Sequence, residues 1–437
     1  MGRKIFYIIC PIFGFLFVMA YIRAATVDVI YTDYVRLIHS YLPNVWSFEP
    51  YTHADVLTRM PINYIERMIN VGIFGYSTTF DMLLGAFCLF LASVTLAKYC
   101  ADWKIFGGWF LAIVVLFFSL NKWEMLTNGS GWVHFAAFAC FFRHYYVFDK
   151  KRHSKELIFW PIFTILLVAG PYCAVYAGTM LLANFYLIVK EKKVSRQNIY
   201  EILAIFIPLL LFMYSRAHSV EEHAGATTMS MGEVMKKEPF LFVRLLIKSF
   251  ASMVVSGEYA KDHHLSNLFL FALGLAVMGA YLYALYLNIA YKLYEKTVFP
   301  MLLLISGGMN HLLIAISRWI FLKEDYGMSS RYALQFQVGI VGILLTFAFV
   351  KKASRRIGVA FCLLFVGGNL LVNADEVKKA DSRKQYFIER RELGLHFEQA
   401  SDQELKEKFQ YRSPQKTREA LRLLKEQHLN CLLYTSD

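Results

Sequence analysis

The sequence predicts an all-α polytopic membrane protein: a transmembrane helical bundle of about eleven spans, with interfacial outer-loop helices and a small helical C-terminal tail. Three observations lead there. Hydrophobic residues make up 57% of the 437 and charged residues only 18%, far from the balance of a soluble domain. The apolar residues fall in runs of about 17–22, the length that crosses a hydrocarbon core as helix. The short alternating segments of a transmembrane β-barrel are absent.

Taken in order, the spans are expected at 5–23, 79–97, 105–120, 131–148, 157–170, 173–190, 198–215, 266–289, 298–319, 332–350 and 356–373. The run after Met1 is long and lacks a small-x-small cleavage site, so it reads as an uncleaved first span. The fourth span carries Arg143 and His144, tolerable near its end by snorkelling. Gly170-Pro171 separates the fifth and sixth as a hairpin or a break. Placing Gly2-Arg3-Lys4 inside puts every basic loop inside as well: Lys98–Lys104, Lys150–Lys155, Lys190–Arg196, Lys292–Lys296 and Lys351–Arg356. The positive-inside rule then gives a multi-pass protein with its N-terminus in and its C-terminus out. The net charge of +13 is spent on these short loops, which argues against nucleic acid as a partner. The seven cysteines sit mostly inside apolar runs and share no metal-ligand spacing.

Two units follow: a transmembrane domain over 1–373, and an extracytoplasmic charged helical tail over 374–437. Ser413 reads as the N-cap of a tail helix with Pro414 in its first turn. The closing CLLYTSD follows no folding pattern, and the tail is expected to be truncated there. Two larger outer loops, 24–78 and 216–265, interrupt the spans. The middle of the second, PFLFVRLLIKSFASMVV, has apolar residues at helical spacing and reads as an interfacial helix.

The first outer loop holds most of the candidate chemistry. Apolar residues at 34, 37, 38, 41 and 42 predict a helix over 33–43 lying along the membrane, with Leu37, Ile38, Tyr41 and Leu42 inward. That leaves Asp33 and Arg36 toward a cavity. Asp28 and Asp33 can act as general base on a hydroxyl or ligate a divalent metal; alternatively they pair with Arg36 or Arg59, or cap a helix. Asp55 reads as an N-cap. In the short outer loop 121–130, Trp123 is an interfacial anchor, while Glu124 and Asn128 suit the lining of a polar site. Arg318, Lys323, Arg331 and Tyr332 form a seat for a phosphate, since guanidinium grips it with two donors. Asn310 and His311 are polar at membrane depth, marking either a lined cavity or a satisfied core histidine. His218, His223, His263 and His264 fit no ligand spacing.

With these residues in hand, the layout resembles the GT-C superfamily of membrane glycosyltransferases, in its uncharacterised bacterial multispanning members. The matching pieces are VDVIYTDYVRLI, the long loop through Tyr76-Ser77-Thr78 and the late SSRY; the acidic pair departs from the family pattern in being five residues apart. The resemblance implies transfer of a sugar from a polyprenyl-phosphate donor to a cell-envelope glycan or lipid acceptor on the outer face. Asp33 or Asp28 would be the base, and basic residues near Arg331 would stabilise the leaving phosphate. A divalent metal, Mg or Mn, is the one cofactor in question. The alternatives are a lipid-linked glycan polymerase or ligase, weighted on Arg216, Arg244, Lys248 and Lys261, and a flippase of lipid-linked sugars. A non-catalytic membrane scaffold is a third.

Overall fold

The computed structural model describes residues 2–150, 155–219, 225–350 and 352–432, which are helical with no strand among them. The chain begins with α1 (Gly2–Ala25), then α2 (Asp33–Tyr41) and α3 (Ile62–Phe74) of the first loop, and α4 (Thr78–Asp102) and α5 (Gly107–Phe117). A short α6 (Trp123–Thr127) leads into α7 (Trp132–Lys150), α8 (Glu156–Phe163), α9 (Cys173–Glu191) and α10 (Arg196–Ala217). The second loop folds as α11 (Met231–Lys237), α12 (Leu241–Ala251) and α13 (Gly257–Asp262). The remainder is α14 (Asn267–Ala290), α15 (Leu293–Lys296), α16 (Phe299–Arg318), α17 (Ala333–Phe349), α18 (Lys352–Leu395), α19 (Asp402–Phe409) and α20 (Pro414–Glu426).

All eleven expected spans fall on helices. Among the described residues, nine helical segments are long and apolar enough to cross a membrane, so the protein is membrane-embedded. The other two are α7 and the α8 region. In α7, Arg143, His144 and Asp149 interrupt the apolar run, and they are partnered rather than snorkelling. Arg143 pairs with Glu156 at 2.6 Å, buried His144 meets the Tyr176 hydroxyl at 2.6 Å, and Asp149 accepts from Thr297 and the Val298 N–H. The apolar helix at 156–168 is shorter and ends in one wide turn over Thr164–Val168. Gly170 then takes φ +46°, the left-handed conformation that glycine adopts freely, and the chain restarts as α9.

Without a hydrophobic drive between helices in lipid, close packing holds the bundle. The tightest crossing is α16 on α17. A Cβ at Gly307 would lie 2.5 Å from the Gly339 Cα, so only glycine permits that approach. Helix α4 packs between α1 and α7. Lys122, fully buried just beyond α5, donates to the Phe117 and Ser119 carbonyls at 2.9 Å each. Its amine thereby satisfies carbonyls left open where the helix ends.

The loops gather at one end of the bundle, called here the cap end. Helix α18 runs unbroken for 44 residues through position 373, so no boundary in the helix separates tail from spans. Beyond it, α19 and α20 fold back on the first loop and build a second apolar core. Ile30, Tyr34, Val35, Ile38 and Leu42 meet Phe397, Leu405, Phe409, Leu421 and Leu424. Helix α2 is thus covered by the tail. Of its expected inward residues, Ile38, Tyr41 and Leu42 are buried, joined by Tyr34 and Val35, while Leu37 is only partly covered. The helix ends at Tyr41 and tightens to a 3-10 turn over Leu42–Asn44. Ser413 caps α20, accepting from the Lys416 N–H, with Pro414 in the first turn as expected. Residues 433–437, with Cys431 just before them, include most of CLLYTSD and lie outside the described residues.

Leu421→Ala, at a fully buried position of this second core, is expected to cost about 2–5 kcal/mol locally. Limited proteolysis in detergent should then cleave beyond Leu395 faster, with the melting of the spans unchanged. Unaltered cleavage would show that the tail does not depend on this core.

Candidate functional site

At the cap end, side chains from six separate stretches gather. Arg331 leaves the 3-10 turn Ser330–Tyr332, directly before α17, and its Nε donates to Glu124 of α6 at 2.5 Å. Asp33 opens α2 and is near enough for its charge to act on both Arg331 and His134. The Asp33 carboxylate is half exposed, and its nearest ion partner is Arg36 at 4.0 Å. On the far side of Arg331, the Arg318 guanidinium lies 5.7 Å from the Tyr332 ring. The charge of Arg331 also reaches Tyr332, so two guanidinium groups flank one phenol. Tyr172 closes the circuit: its ring stands 5.4 Å from His134, and Arg318 and Tyr332 both act on it. Arg318 Nε and His134 Nδ1 are buried atoms without a hydrogen-bond partner among the described residues.

The turn that presents Arg331 is held by a second carboxylate. Glu258 of α13 accepts from the Ser330 N–H at 3.2 Å and from the Ser330 hydroxyl at 3.2 Å. Burial, with the charge of Glu124 nearby, lifts its pKa above the usual carboxylate range. Ser330 also reaches Glu124 at 3.5 Å, so the two carboxylates share one serine. The tail supports the same region from above. Arg383 stacks 3.2 Å from the Trp123 ring while gripping Glu376, and Arg390 lies 4.1 Å from the Tyr31 ring. Trp123 is therefore a packing partner of the tail.

The other expected residues are placed apart from this group. Asp28 accepts from Ser77 Oγ, the Thr78 N–H, Thr78 Oγ1 and Asn430 at 2.5–2.9 Å. Its carboxylate is committed to capping α4, the alternative weighed for it. Arg36 is exposed. Arg59 grips Asp55 at 2.8 Å, and Asp55 makes no side-chain cap, because the ion pair takes its oxygens. Asn128 caps its own turn, accepting from Ser130. Lys323 lines a neighbouring cleft with Arg244, Glu324 and Asp325. His223 lies outside the described residues, and among those described no group of three or more His, Cys, Asp or Glu is placed to hold a metal.

Beneath Asp33 lies a network that sequence reasoning missed. Arg67 of α3, 1% exposed, pairs with Asp81 of α4, 0% exposed, at 2.7 Å. Asp81 also accepts from the Tyr34 hydroxyl and from Asn70, each at 2.6 Å. A Glu66 carboxyl oxygen lies 2.8 Å from Arg67 Nε. Tyr34 is the neighbour of Asp33, so this network fixes where Asp33 stands. His134 and Asp81 gave little sequence signal, each a lone charged or titratable residue at the start of an apolar run, and Glu258 is one of several charged residues in its loop. Comparison of the chain with protein-family models, curated proteins and solved structures found no match.

Burial raises the Glu66 pKa well above its ordinary 4.5, against the lowering pull of Arg67. The folded protein thus holds this proton to higher pH than the unfolded chain does. The stability linked to it is present below 4.5 and is lost as pH rises toward the folded value. Glu66→Gln should therefore melt like the parent at acid pH and become progressively more stable than it toward neutral and alkaline pH. A pH-independent difference in melting temperature would show that Glu66 is ionised in the fold.

Proposed function

We propose that this chain is a membrane glycosyltransferase of GT-C type, moving a sugar from a polyprenyl-phosphate donor to a glycan or lipid acceptor. The carrying observation is that Asp33, a carboxylate with only one loose ion contact, stands near enough to act by its charge on Arg331, nearly 300 residues later in the chain, while Arg318 lies against the Tyr332 ring beside it. The group lies at span ends, where a phosphate head must sit if its polyprenyl tail stays in lipid. In this reading Asp33 takes the proton from the acceptor hydroxyl as that oxygen attacks the sugar. The bond to the lipid phosphate breaks, and Arg331 and Arg318 take up the charge left on it. Glu124 holds Arg331, so the donor phosphate shares or displaces a carboxylate on entry. Tyr332 supplies a further donor beside it.

Two variants separate the roles. Asp33→Asn keeps shape but cannot accept a proton, so turnover should fall by about 10²–10⁴-fold with donor binding little changed. Arg331→Ala should weaken donor binding and transfer together, by about 2–4 kcal/mol in kcat/KM. Both are read in membranes supplied with polyprenyl-phosphate sugar, by release of free polyprenyl phosphate. Full turnover by Asp33→Asn overturns the assignment.

The basic loops support an orientation with the cap end outside a bacterial cytoplasmic membrane. Reporters fused after Lys155 and after Asp375 should read inside and outside. Both on one side would refute the orientation. One observation favours the flippase reading: Asn288, Asn310, His311, Gln335 and Gln337 are polar side chains buried within spans. Movement of lipid-linked sugar between leaflets without consumption of donor would select it.

A further inference from the structure

Beside the candidate site, and distinct from it, a cleft of about 480 Å³ opens between α12 and the 322–326 turn. Its depth is set by the helices around it. The turn follows directly on the span Phe299–Phe321, and Asn267, which opens the span Asn267–Ala290, bonds the cluster below the cleft at 2.8 Å. The charges of the cleft therefore lie where a hydrocarbon core gives way to headgroups. Exposed apolar side chains accompany it: Leu322 lines the cleft, and Phe240, 67% accessible, and Val243, 52% accessible, neighbour the lining residues Leu241 and Arg244 in the chain.

The charges are balanced, three against three. Arg244 bridges Glu238 at 2.9 Å and Glu324 at 2.8 Å. Lys248, fully buried, binds Glu324 at 2.6 Å and also Asp325. That leaves two groups facing outward. The exposed Lys323 ammonium has no hydrogen bond or ion pair among the described residues, and the Asp325 side chain is 64% exposed, bound through one oxygen. A cation without a partner and a carboxylate with one uncommitted oxygen complement a ligand carrying both signs. A purely anionic head would meet Glu238, Glu324 and Asp325 with only Lys323 to receive it.

We propose that this cleft binds the headgroup of a zwitterionic aminophospholipid, its phosphate on Lys323 and its ammonium against Asp325 and Glu238. The acyl chains pass over Phe240, Val243 and Leu322. The primary ammonium matters, because it donates hydrogen bonds to carboxylates and a quaternary ammonium cannot. This assignment depends on the membrane embedding and not on sugar transfer.

The test uses the full chain reconstituted in vesicles of equal phosphatidylethanolamine, phosphatidylglycerol and phosphatidylcholine, then extracted in mild detergent. Retained lipid is counted by native mass spectrometry. Phosphatidylethanolamine should be enriched over both others. Lys323→Ala, at an exposed side chain that the fold does not use, should reduce its retention about tenfold, the scale of one charge-assisted contact. Lys323→Arg should retain it. Equal retention of phosphatidylglycerol, or unchanged retention by Lys323→Ala, overturns the proposal. So does displacement by free glycerophosphoethanolamine at the lipid's own concentration, which would mark a site for a soluble metabolite.

Discussion

The cap end depends on one ion pair, Arg67 with Asp81, sealed from solvent on both sides. Taking two charges out of water costs several kcal/mol each, and that cost is offset only when the remaining donors and acceptors are met. Asp81 meets the condition with three donors, from Arg67, Tyr34 and Asn70. Through them a single carboxylate on a span fixes α3, α2 and the turn at Ser77, which Asn70 also binds. Losing one partner would leave an uncompensated buried charge, at about 3–5 kcal/mol. The position of Asp33, next to Tyr34, follows from that bond rather than from any contact of its own.

The spans were legible because their signal is length and apolarity, which needs no knowledge of neighbours. All eleven expected runs fall on helices in order, and nine of the helical segments among the described residues are long and apolar enough to cross. The helix at 33–41 was legible too, since its 3.6-residue pattern is local. Its surroundings were not. The pattern says that one face is buried, but Phe409 and Leu421 cover it from nearly 400 residues away. The tail reads as a charged helical piece, yet Leu405, Phe409, Leu421 and Leu424 bury one another together with the apolar face of the first loop. The pairing of Arg331 with Glu124, like the capping role of Asp28, turns on long-range geometry. Lys323 was grouped with Arg331 by proximity in sequence, yet the turn between them sends it to another cleft.

The cap is assembled from both ends of the chain. The Thr32 N–H bonds the Phe409 carbonyl at 2.7 Å, Asn430 bonds Gly75 and Asp28, and Gln427 bonds the Leu42 carbonyl. Contacts of such sequence separation form late, because loop closure must precede their reward. The first loop must therefore wait for the last helices before its apolar face is covered. Asp33 acquires its final surroundings only after α19 and α20 have been made.

Helix α18 has a mechanical consequence. At 1.5 Å per residue its 44 residues measure about 66 Å, roughly twice the thickness of a hydrocarbon core. One half is set by lipid, and the other is a rod that carries Arg383 and Arg390 onto Trp123 and Tyr31. Arg390 stands about 27 Å beyond Val372, so a tilt of about 10° would carry its Cα about 5 Å. Tilt is how a span answers a thicker or thinner bilayer. The rod thereby turns membrane thickness into a lateral load on the aromatic residues that flank Asp33 and Glu124.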